Sequence, residues 1–261
     1  MKLFISADIE GVCGVTSWDE VRLDNPQHKA KQMTREVAAA CQAALDFGYT
    51  EIVVKDAHAT GRNLIIDELP RGVKVLRGWS GGYLSMMEGL DGSFAGACYV
   101  GYHSAAGKDG NPLAHTYNSQ TVYSYTLNDQ PASEFLLNHY LAANLGVPSL
   151  FLSGDQQICS DAKRIAPGLK SFAVKEGRGN ATLNLHPQEA LEGIYEAMKC
   201  ALENPAPLFS CPDKIVARIT FGSHSQALRA SYYPGIEQIS PHEIIYTGSI
   251  VEIMKAQLFI V

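Results

Sequence analysis

Asp8 and Glu10 stand two positions apart where an apolar run, Leu3 to Ala7, gives out, and Gly11 closes the stretch. The run reads as a buried strand. Residues two apart in an extended chain point to one side, so both carboxylates project together from the strand's carboxyl end, where open α/β sheets bind ligands. Like charges held that close repel unless something positive lies between them, and a metal ion does that with oxygen ligands. Alone, the pair also suits a strand end with two solvated acids. Other groups of the same chemistry favour the metal. His58 and His103 each follow a further apolar run directly, in Asp56-Ala57-His58 and Gly101-Tyr102-His103; Glu134 opens a helical stretch, and His115 lies in a long polar connection, 104–118. Carboxylates and imidazoles in such a mixture suit zinc, manganese or cobalt hydrolases. Four or five of them can hold two metals about 3.5 to 4 Å apart, lowering the pKa of a shared water and polarising a carbonyl. The remaining histidines, His28, His139, His186, His224 and His242, read as surface or capping residues.

Two other signals compete. Gly78-Trp79-Ser80-Gly81-Gly82 fits G-x-S-x-G between a strand and a helical stretch, which makes Ser80 a candidate nucleophile. The motif is short, and no H-G-G type oxyanion loop precedes it in the first 77 residues. Gly177-Arg178-Gly179 resembles part of a phosphate loop but lacks the third glycine and the lysine-serine pair, so it reads as an ordinary loop.

The elements that must position these groups alternate. A helix is expected from Pro26 to Gly48, with Met33, Val37, Cys41 and Leu45 as its apolar stripe. Strands are expected at 51–56, 73–76, 94–100, 121–127, 148–153 and 172–175, and helical segments at 64–69, before Glu88, at 132–145, 156–165 and 187–202. This pattern predicts an α/β fold, three-layer α/β/α with a mainly parallel central sheet. Pro205 and Pro207 break it. The expected division is a catalytic domain over 1–204 and a smaller α+β segment over 205–261, with strands at 214–221 and 244–247, one short helix and a terminus suited to an oligomer interface.

At 261 residues the chain can bury a large core. Its net charge of -6 and the lack of a basic cluster exclude a nucleic-acid or anionic-membrane footprint. No apolar run has the length of a membrane span and no signal-peptide pattern opens the chain, so a cytoplasmic protein is expected. Its six cysteines, none in C-x-x-C spacing, fit reduced small hydrophobes.

Asp8-Ile9-Glu10-Gly11, Lys55-Asp56-Ala57-His58, Met87-Glu88-Gly89-Leu90-Asp91, Gly101-Tyr102-His103, His115, Glu134, Gly154-Asp155 and Ala173-Val174-Lys175 occur in an order that resembles the zinc-dependent D-aminopeptidases encoded with bacterial dipeptide transporters. The similarity runs from the N-terminus to about Pro187. The resemblance implies a two-zinc aminopeptidase that removes N-terminal D-amino acids, D-alanine above all, from short peptides, with cobalt or manganese as other metals the donors would take. It implies that Asp8 bridges the metals, that Glu10, His58, His103 and Glu134 complete the ligands, and that His115 is catalytic, as nucleophile in the family's account. On chemistry alone, a general base or an oxyanion stabiliser is preferred for His115. The resemblance further implies a ring-shaped homodecamer with active sites facing an internal channel. One departure stands out: Gln156 follows Asp155 where an acidic pair is expected. The alternatives carried forward are a serine hydrolase using Ser80 and a metal- or peptide-binding protein without turnover.

Overall fold

The first strand lies near the middle of the molecule. A computed structural model describes residues 1–261. In chain order its elements are β1 (Lys2–Ala7), α1 (Ala30–Phe47), β2 (Glu51–Asp56), β3 (Val73–Leu76), β4 (Gly96–Tyr102), β5 (Val122–Leu127), β6 (Gln130–Pro131), α2 (Glu134–Asn144), β7 (Ser149–Asp155), α3 (Gln156–Ile165), β8 (Lys170–Arg178), β9 (Ala181–Asn184), α4 (Pro187–Glu203), β10 (Ile215–Phe221), α5 (His224–Ser231), β11 (Ile236–Ser240), β12 (Glu243–Gly248) and α6 (Ile250–Ile260). Seven strands form the main sheet in the order β3-β2-β1-β4-β7-β8-β9. All its pairings are parallel except the β8–β9 hairpin. The chain moves outward from β1 to β2 and β3, then returns to place β4 on the other side of β1, so the strand order reverses between β1 and β4. Crevices at the carboxyl ends of such neighbours are where α/β sheets bind ligands.

The apolar positions explain the layers. Leu3, Ile5 and Ala7 face one side of β1 and join Met33, Val37 and Cys41 of α1 with Ala190, Ile194 and Met198 of α4 in one core. Phe4 faces the other way and joins Tyr99, Leu152 and the apolar face of α2 and α3 in a second. The sheet is therefore covered on both faces, as the alternation predicts. Helix α1 begins at Ala30 rather than Pro26, because Asn25 and His28 hold Gln27 and Ala30 in turns through Asn25 Oδ1 and His28 Nδ1. The helical segments expected at 64–69 and before Glu88 shrink to single 3-10 turns, Ile66–Glu68 and Ser85–Met87. The Gly177-Arg178-Gly179 stretch is the end of β8 and its hairpin turn into β9.

A second, five-stranded sheet has the order β11-β12-β10-β5-β6. Its central strand β10 pairs with β12 on one side and with β5 on the other, Ile219 opposite Tyr125. Residues 205–261 thus complete a sheet that begins at Val122, and the expected division at 204/205 runs through a pairing rather than between units. The inner faces of this sheet, α5 and α6 share the core of α2. Because β5, β6 and α2 form the crossover from β4 to β7, the second sheet is a support for the loops above the switch point.

His139, expected at the surface, is buried on α2 between Phe135 and Phe209, with Nδ1 against Ser149 Oγ at 2.8 Å. Burial pushes its pKa down to about 4. A histidine held neutral in the fold and titrating near 6.5 when unfolded gives stability that is complete above pH 6.5 and is lost as pH falls towards 4. A shift of that size corresponds to about 3 kcal/mol. Urea unfolding across pH 7 to 4 should show this loss, and His139→Phe, which takes no proton, should flatten the profile relative to wild type; parallel profiles would refute it.

Candidate metal centre

Strand β1 ends at Ala7, so Asp8 and Glu10 sit in the turn that follows rather than on an extended strand. They converge because the turn is tied down: Asp8 N–H donates to Val100 O, Gly11 N–H to Gly101 O and Val12 N–H to Ile9 O. A Cβ on Gly11 would collide with Tyr102 O, and one on Gly101 with Asp8 O. Only glycines allow the ends of β1 and β4 to approach this closely, and that approach sets Asp8 beside His103.

The five residues expected as ligands, with His115, meet in one place. His58 Nδ1 lies 3.0 Å from Glu10 Oε1 and 3.5 Å from Asp8 Oδ1. His103 Nε2 lies 3.4 Å from Asp8 Oδ2 and 3.3 Å from Glu134 Oε2, and His115 Nε2 is 3.7 Å from Glu134 Oε1. Asp8 therefore presents one oxygen to each of two imidazoles. Donor atoms of Asp8, Glu10 and His103 lie within 4.8 Å of one another, as do those of His103, His115 and Glu134.

The backbone decides the tautomers. His58 Nε2 faces Val21 O at 2.9 Å, His103 Nδ1 faces Ser104 O at 2.9 Å, and His115 Nδ1 faces Leu113 O at 2.8 Å. A carbonyl only accepts, so each of these nitrogens carries a hydrogen, and the other nitrogen of each ring turns a lone pair towards carboxylates. Asp8 Oδ2, Glu10 Oε2 and His103 Nε2 are buried with no hydrogen-bond partner. Lone pairs facing lone pairs in a buried pocket require a cation or a proton between them, and imidazoles oriented by backbone carbonyls are the usual support of metal-ligating histidines. The donor set fits a metal such as zinc.

Without a metal, protons take that place. Burial would raise the Asp8 carboxyl, but the His103 and His58 imidazoles beside it, once protonated, outweigh that and hold its pKa at about 2. Burial works against the charged form of His58 and His103, yet Glu10 and Asp8 for the first, and Glu134 and Asp8 for the second, hold both well above the usual imidazole range. Burial likewise opposes the Glu134 carboxylate, and His103 and His115 lower it in spite of that.

Residues that lie in the motif order, but to which the sequence pattern gives no role, hold these loops. Asp155, the last residue of β7, accepts from Ser104 N–H and Ser104 Oγ, from Asn111 Nδ2 and from Ile158 N–H. It ties the loop bearing His103 to the N-terminus of α3. Asp56, ending β2, accepts from Asn63 N–H, Asn63 Nδ2 and Leu64 N–H, while Asn63 also donates to His58 O. Buried Lys175 donates to Val15 O and Glu10 O from beneath the first loop. The signal for Asp56 and Asp155 was available: like Asp8, each terminates an apolar strand. Gln156 bonds to Ser160 and lines a separate surface cleft with Asp109 and Glu176, so the departure at 156 lies outside the centre. Ser80 is exposed, its Oγ accepts from Gly82 N–H, and only the single 3-10 turn Ser85–Met87 follows in place of an α-helix, so no nucleophile elbow forms.

Above the donors is a cavity of about 270 Å3 lined by Asp8, Glu10, His58, His115 and Glu134 and by less polar groups, among them Trp18, Ala57, Trp79 and Met86. It admits a small molecule or the end of a peptide and excludes a folded chain.

Carboxylates and imidazoles gathered at the switch point of a mainly parallel sheet, beneath a small open pocket, define a metal-dependent hydrolytic enzyme of the α/β class. The family model for the M55 peptidases, described as D-aminopeptidase, matches residues 1–259, and the chain belongs to that family. A D-aminopeptidase of Bacillus subtilis (strain 168) is 31% identical over 244 residues, 91% of this chain and 87% of that protein. The structure of the "Zn-dependent D-aminopeptidase DppA from Bacillus subtilis, a self-compartmentalizing protease" superposes with a TM-score of 0.92 at 29% identity, covering 99% of this chain and 96% of that one. The family pattern therefore continues beyond Pro187, where the motif resemblance ends, through the second sheet and α6.

Asp155→Ala would leave the Ser104, Asn111 and Ile158 donors buried without an acceptor. A loss of about 3 kcal/mol or more is expected from the urea midpoint, and an unchanged midpoint would mean that the His103 loop is held by other contacts.

Proposed function

We propose that the protein is a binuclear zinc aminopeptidase that hydrolyses N-terminal D-amino acids, D-alanine preferred, from short peptides or amides. The observation that carries this is the convergence of five ligands whose imidazoles have one nitrogen pinned to a carbonyl and the other turned to carboxylates. Asp8, which turns an oxygen towards each of His58 and His103, would hold the ions together with Glu10, His58, His103 and Glu134. Zinc held there, or cobalt or manganese, supplies a Lewis acid for the scissile carbonyl and makes a water acidic enough to attack near neutral pH.

The chain's own groups do the rest. His115, oriented through Nδ1–H by Leu113 O, keeps Nε2 free beside Glu134 and lines the cavity. It accepts a proton as the nucleophile adds and returns it to the departing amine, which gives it the general base and acid role; the covalent role of the family's account needs no group beyond the same Nε2. Stacking on His103 at 4.3 Å and the edge of Trp18 at 5.3 Å fix its plane.

The assembly belongs to the same reading. The B. subtilis neighbour is a self-compartmentalizing protease, which supports a homodecamer that admits only short peptides. Exposed apolar residues in the C-terminal segment, including Leu228, Tyr232, Leu258 and Phe259, support an interface between copies there. A cytoplasmic location fits six free cysteines, and no helix is long and apolar enough to cross a membrane.

Elemental analysis of untagged protein should find about two zinc ions per chain, and His58→Ala or His103→Ala should lower that content; full occupancy in both variants would refute the ligand assignment. His115→Ala should retain the metal and lose roughly 100- to 10,000-fold in kcat towards D-alanine p-nitroanilide. Ser80→Ala should hydrolyse it at the wild-type rate and the wild type should not react with a fluorophosphonate, whereas labelling with loss of activity would restore the serine reading. A His115→Ala variant as active as wild type would leave only a metal- or peptide-binding role for that residue.

A further inference from the structure

The pocket has one wall that the proposed reaction does not use. The ligands come from the ends of β1, β2 and β4 and from the start of α2, and His115 stands on the β4 side. Towards the other edge of the sheet, where β3 lies beyond β2, the lining is Ala57, Ala59, Met86 and Trp79. The two alanines are small, and Trp79, on the loop after β3, lines the cavity beside them.

That indole is 42% exposed, yet it is fixed. Its Nε1–H donates to Ala59 O at 2.7 Å, and the ammonium of Lys55 stands 3.9 Å over the ring. Lys55 is anchored in turn, donating to Asp56 O at 2.6 Å and Gly78 O at 2.7 Å. Gly78 N–H donates to Gly61 O, which stitches the Trp79 loop to the loop that carries His58. An exposed tryptophan on a coil would ordinarily sample several rotamers; this one is held by a hydrogen bond and a cation–π contact, and it spends a large apolar surface on the mouth of a hydrolytic pocket. A substrate whose carbonyl lay over these donors and within reach of His115 would have Ala57, Ala59 and Trp79 as the cavity wall beside the side chain of the residue being released.

We propose that Trp79 is a specificity-determining residue, the rigid wall that limits the first side chain of the substrate to hydrogen, methyl or hydroxymethyl and turns away branched and aromatic ones. This rests on the D-aminoacyl hydrolysis proposed above. It assigns the size limit to one side chain that ligates nothing, and it makes Lys55 the positioning residue that keeps the wall in place.

The test is kcat/KM of the zinc-loaded oligomer for the p-nitroanilides of D-alanine, D-leucine and D-phenylalanine, in wild type, Trp79→Ala and Trp79→Phe, with zinc content measured alongside. Wild type should favour D-alanine. Trp79→Ala should raise the D-leucine and D-phenylalanine values relative to D-alanine by about tenfold or more, the range that a few methylenes command in a pocket, and Trp79→Phe should fall between. Ratios unchanged in Trp79→Ala, or shifted further towards D-alanine, overturn the assignment. So does an equal loss on all three substrates together with lost zinc, which would make Trp79 a support of the Ala59 and His58 loop only. Failure of wild type to cleave any D-aminoacyl amide would overturn the proposed function itself, an outcome distinct from unchanged ratios in an active enzyme.

Discussion

Three carboxylates, Asp8, Glu10 and Glu134, are buried around the His103 imidazole at the reversal of the main sheet. Two like charges about 4 Å apart at an effective dielectric near 20 repel by about 4 kcal/mol. Such a cluster persists only with positive charge inside it. The imidazoles of His58 and His103 face it with the nitrogens that can take a proton or a metal, and the raised pKa of both follows from that demand. The need for a cation thus shapes the loops, the tautomers and the pocket above.

Carbonyl oxygens of Val21, Ser104 and Leu113 fix the three rings from behind. Asp56 and Asp155 fix the loops from the sides, and Lys175 supports the Glu10 turn from below. Burial pushes Lys175 down to about 8, offset in part by Asp155, Glu36 and Glu10. Removing one member of such a network leaves the others unpaired in a dry interior, which costs more than the contact itself contributes. The centre is therefore better described as a frame of buried polar groups around a cation site than as separate ligands.

The second sheet belongs to this frame. The crossover from β4 to β7 is long enough to hold His115, β5, β6 and the start of α2, and Glu134 is the first residue of that helix. Ser133 caps α2 through Leu136 N–H, and Tyr117 N–H donates to Glu134 Oε1, so the carboxylate is aimed by both helix start and loop. Strand β10 pairs with β5 from the far end of the chain. The C-terminal residues hold the crossover whose two functional groups face the donors from β1, β2 and β4.

Much of the centre was legible in the sequence because most of its buried carboxylates and imidazoles follow short apolar runs, a local pattern that parallel strands impose on any chain. Asp8, Glu10, His58 and His103 stood out in this way; Glu134 stood out as a helix start and His115 within a long polar connection, beside the layered α/β alternation and the family order of motifs. Local pattern did not reveal contacts between residues far apart in the chain. The pairing of β10 with β5, which crosses the boundary expected at 204/205, joins two strands with three helices and four strands between them in the chain. His139 looked like a surface histidine because the Phe209 strap that buries it comes from beyond α4. The fixing of Trp79 by Ala59 and Lys55, the aim of each imidazole and the exclusion of Gln156 from the pocket are likewise matters of spatial neighbours. The order of residues along the chain placed Asp8, Glu10, His58 and His103, four of the expected ligands, at strand ends, since that follows from apolar runs and what terminates them. Which way those ligands face is set by hydrogen bonds and close packing between distant segments, which exist only once the chain has folded.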